Sequence, residues 1–144
     1  MAKELPLQEL SMKLASIRII AGDIKNMVAF YERITGVTAQ WPAPVFAELV
    51  MPGAVLAIGS VETVPLWQEN SAEPGVNRTV FSEFQVDDID AEYMRLKDSV
   101  PLVHDLKTMP WGNKTFQFRD PEGNAVSFYM PATEEAKGRF AGRG

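Results

Sequence analysis

Few side chains in this sequence are equipped for chemistry. It has no cysteine and a single histidine, His104. Thiolate nucleophiles, disulfides and cysteine-bound zinc are therefore excluded. The pair that stands out is Arg18 and Glu83. Each lies five residues before a helix-capping aspartate, Asp23 and Asp88, and the two sets are 65 residues apart. If the strands that carry them lie side by side, two roles are open. They can form an internal ion pair that neutralises two charges facing a cleft. Alternatively, Arg18 takes a carboxylate or enolate of a ligand, Glu83 takes a cation or a proton, and Tyr129 serves as a proton donor. Trp111, in the loop Pro110-Trp111-Gly112, is placed either to stack on a planar ligand or to anchor packing. The lone His104 reads as a surface or structural residue. Glu48 and Glu83 are the nearest carboxylates for a hard cation, but nothing in the sequence fixes them together.

These residues need elements to hold them, and the pattern supplies the same set twice. "LASIRIIA" (14–21) alternates as a strand. Asp23 then caps a helix with Ile24, Met27, Val28, Tyr31 and Ile34 on one face, ended by Thr35-Gly36. "VTAQW", "VFAELVM" and "AVLAIGS" read as short strands broken by Pro42, Pro44, Pro52 and Gly53. The polar, Pro-containing stretch 61–77 reads as a linker, with Trp67 as an apolar anchor holding it down. "TVFSEFQV" is again a strand, and Asp88 caps a helix with Ile89, Tyr93, Leu96 and Val100 apolar. "PLVHDLKT", "KTFQFRD" and "AVSFYM" follow as strands. Asp120-Pro121-Glu122-Gly123 carries turn residues in their preferred places, so the last two strands form a hairpin. The polar, Gly-rich end "ATEEAKGRFAGRG" reads as a loose tail.

The order is strand, helix and three strands, given twice in 144 residues. That is one domain, 1–144: a first module 14–61, a linker 62–78, a second module 79–131 and a tail 132–144. A formal net charge of −5 makes a nucleic-acid partner unexpected. No apolar run reaches the roughly 18 residues of a membrane span, and the acidic start "MAKELPLQEL" lacks a signal-peptide core. A cytoplasmic protein is the expectation.

"FRDPEGNAVSFYMP" resembles the closing hairpin of the vicinal oxygen chelate superfamily, the group of glyoxalase I, bleomycin-resistance proteins and extradiol dioxygenases. "DIKNMVAFYERITGV" resembles its first helix and "VDDIDAEYMRL" the start of its second. The resemblance spans about residues 14–131. It implies an α+β fold: two βαβββ modules whose sheets curl into a half-open, eight-stranded barrel, helices on the convex face and ligand or metal on the concave face.

Metal-dependent members carry His, Gln or Glu at four concave positions. Carried over residue by residue, these fall on Ser16 and Ala57 in the first module and on Phe81 and Ser127 in the second. The resemblance therefore implies the metal-free branch, with no cofactor. Its best-known members are homodimers that sequester a bulky drug in a groove. Strand alternation puts Ser16, Arg18, Ile20, Val55 and Ala57 on the concave face of the first module, and Phe81, Glu83, Gln85, Ala125, Ser127 and Tyr129 on that of the second. The expected function is binding or sequestering a small, partly apolar or aromatic molecule in the concave cavity, with Ser16, Arg18, Ala57, Phe81, Glu83, Trp111, Ser127 and Tyr129 in contact, and the expected assembly is a homodimer. The alternative is an enzyme of the same superfamily (a lyase, isomerase, cyclase or dioxygenase) with a metal-independent or displaced site.

Overall fold

Capping and alternation set the local structure. In the computed structural model, which describes residues 4–141 and 143, Ser16–Ala21 forms β1. Asp23 then accepts a hydrogen bond from the Asn26 N–H and starts α1 (Ile24–Thr35), which Gly36 ends at φ +74°. Strands β2 (Gln40–Ala43), β3 (Phe46–Val50) and β4 (Val55–Ser60) complete the first module. The second repeats the order: β5 (Phe81–Gln85), α2 (Ile89–Leu96) capped by Asp88, β6 (Leu102–Thr108), β7 (Asn113–Arg119) and β8 (Ala125–Pro131). Beyond it lies a third helix, α3 (Glu134–Phe140).

The strands form two four-stranded mixed sheets, ordered β1-β4-β3-β2 and β5-β8-β7-β6. In each, the first strand runs parallel to the last. Arg18 stands opposite Ala57, and Glu83 opposite Ser127. The result is the expected α+β fold of two βαβββ modules, with the sheets not closed into a barrel. Pro42, expected to break the chain, sits inside β2. That strand is at a sheet edge, where a missing N–H costs no ladder bond.

The core fills the faces covered by α1 and α2. Phe116, Phe118 and Phe128 are fully buried and touch one another, with centroids 5.6–5.7 Å apart. Phe30 of α1 reaches Phe118 across the module boundary, at 6.2 Å. Each such ring contributes roughly 1.5–3 kcal/mol by burial.

The turn that suggested the hairpin also joins the modules. Gly123, at φ +85°, donates its N–H to the Asp120 carbonyl. The Asp120 carboxylate, nearly inaccessible, accepts from the Glu122 and Asn124 N–H groups, the Asn124 amide and the Tyr31 hydroxyl, the last at 2.7 Å. Glu122 reaches back to the start of α1, accepting from the Gly22 and Asp23 N–H groups at 2.8 and 3.0 Å.

Three local expectations are corrected. The stretch after β4 is not wholly irregular: Val61–Leu66 is a 3-10 helix capped by Ser60. Trp67, expected to anchor it, is largely exposed. The tail is not loose either. Thr133 caps α3, and Ala136 is buried beneath it.

Candidate functional site

The concave face of the second sheet carries a continuous depression. Its inner part is a slot of about 150 Å³ lined by Phe81 and Glu83 of β5, Ser127 and Tyr129 of β8, Thr115 and Gln117 of β7, His104 of β6, and the loop residues Met109 and Trp111. Its outer part is an open vestibule of about 520 Å³. Glu83, Trp111, Asn113 and Tyr129 belong to both parts. Arg139, Phe140 and Arg143 close the vestibule.

The floor is fixed by satisfied hydrogen bonds. The Gln117 amide donates to the Ser127 hydroxyl at 3.0 Å, and Thr115 donates to the Phe128 carbonyl at 2.7 Å. The rim is aromatic. Trp111 is more than half exposed in its loop, and Phe140 lies 5.8 Å from Tyr129. Partial burial and the nearby Glu83 charge raise the Tyr129 pKa above the usual value, while Arg143 and Arg139 pull it back. At neutral pH this hydroxyl is protonated and available as a donor. One carboxylate and two guanidiniums thus act on the same point.

Five residues expected at the site meet in this depression: Phe81, Glu83, Trp111, Ser127 and Tyr129. The other three do not join them. Ser16 lines a cleft between the sheets, with Ile17 and Val55 and with Glu83 on its far side. Ala57 is buried in β4. Arg18 borders a third cleft, with Ile20, Glu73 and Asn77.

The Arg18–Glu83 ion pair is absent among the described residues. The Arg18 guanidinium lies over the Phe46 ring at 4.2 Å, with the Trp67 ring 5.8 Å away. Two aromatic faces thus take the place of the expected carboxylate.

The sequence pattern does not point to Arg139, Phe140 and Arg143, because the polar, Gly-rich end reads as a loose tail. The available signal was Thr133 as a cap, followed by two glutamates and then Ala136 and Phe140 four residues apart. It also gave no role to His104, which lines the slot.

The four positions that hold metal in metal-dependent relatives show little donor capacity. Ala57 and Phe81 have no ligating atom, Ser127 is engaged by Gln117, and Ser16 opens on a different cleft. Among the described residues, no three His, Cys, Asp or Glu side chains converge to hold an ion.

Two βαβββ modules, each a four-stranded mixed sheet with its helix, define the class. The family model described as Glyoxalase/Bleomycin resistance protein/Dioxygenase superfamily matches residues 13–128, and the chain belongs to that superfamily. It is 29% identical over 132 residues to the uncharacterized protein YraH of Bacillus subtilis (strain 168), covering 82% of this chain and 98% of YraH. Among solved structures, a superfamily member from Sphaerobacter thermophilus DSM 20745 is 26% identical with a TM-score of 0.64, over 83% of this chain and 97% of that one. A family enzyme from Burkholderia phytofirmans PsJN is 20% identical with a TM-score of 0.73, over 83% of this chain and 99% of that one. At that identity the likeness concerns the fold alone.

Proposed function

We propose that this protein binds a small, partly apolar or aromatic molecule on the concave face of its second module, without the metal used by metal-dependent members of the superfamily. The observation that carries the reading is the depression itself: an inner slot and an outer vestibule share Glu83, Trp111, Asn113 and Tyr129 as common walls. Such a mix of aromatic walls and a few convergent polar groups is typical of small-molecule sites. The donor set supports the metal-free part. Alanine, phenylalanine and a hydrogen-bonded serine do not fit a divalent ion, which needs three or four nitrogen or oxygen ligands. The protein works as a cytoplasmic homodimer and holds its ligand rather than transforming it.

A metal-independent lyase or isomerase is a second reading. It is favoured by one observation, the Glu83 charge acting on the protonated Tyr129 hydroxyl, a base and an acid at one point.

Two measurements on natively purified protein test the proposal. Elemental analysis is expected to find no stoichiometric zinc, nickel, manganese or iron; a stoichiometric ion removes the metal-free reading. Mass spectrometry of small molecules released on denaturation is expected to recover one that Trp111→Ala and Tyr129→Ala protein lacks. Recovery of an altered form after incubation favours the enzyme. Equal recovery from both variants places the ligand elsewhere.

A further inference from the structure

The vestibule has a charge pattern that a general apolar binder does not need. Its two cations come from the C-terminal segment, and that segment is held over the mouth by specific contacts. Gly112, at φ +94°, leaves the space α3 occupies: a Cβ there would fall 2.1 Å from the Thr133 hydroxyl and 2.9 Å from the Ala136 Cβ. Arg139 donates to the Trp111 carbonyl at 3.1 Å and more weakly to the Asn113 side chain at 3.4 Å. Phe140 packs against Tyr129. Arg143 lies over the Phe140 ring at 4.6 Å.

Among the described residues, neither Arg139 nor Arg143 has a carboxylate within ion-pair distance. Yet the chain carries 19 acidic residues against 14 basic ones, and partners would be easy to supply. Glu83 lines the same vestibule without pairing with either arginine. The Trp111 and Tyr129 rings line it as well, and Tyr129 lies close enough to feel the charges of Glu83, Arg139 and Arg143 together.

We infer that the ligand is an aromatic acid carrying a hydrogen-bond donor away from its acid group. Arg139 and Arg143 take its carboxylate, Trp111 and Tyr129 take its ring, and Glu83 accepts from its hydroxyl or amine. This inference rests on the proposed binding role of the cavity and adds the ligand's chemical class. Arginine suits the task because its planar fork matches a carboxylate with two parallel hydrogen bonds. A cationic ligand meets two like charges at the mouth. A neutral one leaves both guanidiniums without a counter-charge.

A matched set of probes tests it: hydroxynaphthoate, hydroxynaphthyl-methanol and hydroxynaphthyl-methylamine, which differ in charge at one group. Binding is read from the Trp111 indole N–H resonance, assigned by its loss in Trp111→Phe. The carboxylate is expected to bind at least about tenfold more tightly than the alcohol or the amine, a factor of ten being 1.4 kcal/mol. The Arg139→Gln/Arg143→Gln double variant removes that preference. Arg139→Lys restores part of it. Lys137→Gln, on the same helix but outside the vestibule, leaves it unchanged. Glu83→Gln narrows the difference between hydroxynaphthoate and plain naphthoate. Unchanged amide-exchange protection of α3 in each variant shows that the helix is still docked.

If the alcohol or amine binds as tightly as the acid, or the preference survives loss of both arginines, the ligand class is overturned and the binding reading stands. If no probe of any charge moves the Trp111 resonance, both fall.

Discussion

Arg18 and Glu83 occupy equivalent places in the repeat, yet the structure gives them different partners. Sequence shows that a residue faces the concave side; it does not show what it meets there. Arg18 meets the Phe46 and Trp67 rings, both distant in sequence, so its role was not legible. Such an exposed cation–π contact is worth about 0.5–1 kcal/mol. Arg18→Met is expected to lower unfolding free energy by about that amount, measured by denaturant titration. A larger loss would mean that Arg18 stabilises the fold by more than its contact with the two rings. Tyr31 makes the stronger case. Burial first, and then the Asp120 charge and hydrogen bond, push its pKa well above the usual tyrosine value. Because the folded-state pKa lies above the unfolded one, the contribution is intact below the unfolded value of about 10 and is lost as pH rises beyond it. Stability is therefore expected to fall on the alkaline side from about pH 10 upward, with a shallower fall in Tyr31→Phe. At neutral pH that variant loses about 1–2 kcal/mol, because the buried Asp120 loses one of its donors. An alkaline limb of equal slope in both proteins removes this account.

At the scale of elements, helix and strand positions were legible where local rules and tertiary fit agree. Asp23, the apolar spacing of α1 and Gly36 each name the same helix, and the structure returns Ile24–Thr35. Asp120 to Gly123 names the hairpin, although only the fold reveals that Glu122 also caps α1. Helix α3 escaped notice for a physical reason. A seven-residue helix is marginal on its own, since nucleation is unfavourable. What holds it is a seat made elsewhere, by Gly112 and Tyr129. Gly112→Ala is the direct test. The new Cβ collides with Thr133, and an alanine held at φ +94° adds a backbone cost of about 1–2 kcal/mol. Gly36→Ala is the comparison, because its Cβ meets nothing within 4 Å and it carries only the backbone strain. Hydrogen exchange is expected to show amides of 134–140 deprotected in Gly112→Ala and unchanged in Gly36→Ala. Protection retained in both would mean that α3 does not depend on this seat.

At the scale of the molecule, two sheets, three helices and one shared core account for most buried side chains, but much apolar surface is left over. Leu66 and Trp67 beside β1, Phe81 and Trp111 around the pocket, and Leu5, Leu7, Leu10, Met12 and Leu14 before β1 are all exposed. Soluble monomers rarely leave contiguous apolar patches beyond a few hundred Å². The pocket of the second module also lacks any wall from the first, since every residue lining its inner slot and vestibule comes from β5 onward. Both features are resolved if a second copy covers these surfaces over an area of the size usual for specific pairs, about 1,200–2,000 Å². Sedimentation at micromolar concentration is expected to show a species of twice the 16.0 kDa chain. Leu66→Asp with Trp67→Asp places two charges on exposed apolar positions, so it is expected to shift the population toward single chains while the far-ultraviolet dichroism stays the same. A wild-type protein that sediments only at 16.0 kDa ends the homodimer proposal. A dimer indifferent to both aspartates moves the interface away from Leu66 and Trp67, leaving the apolar segment before β1 and the pocket rim as the surfaces that must carry it.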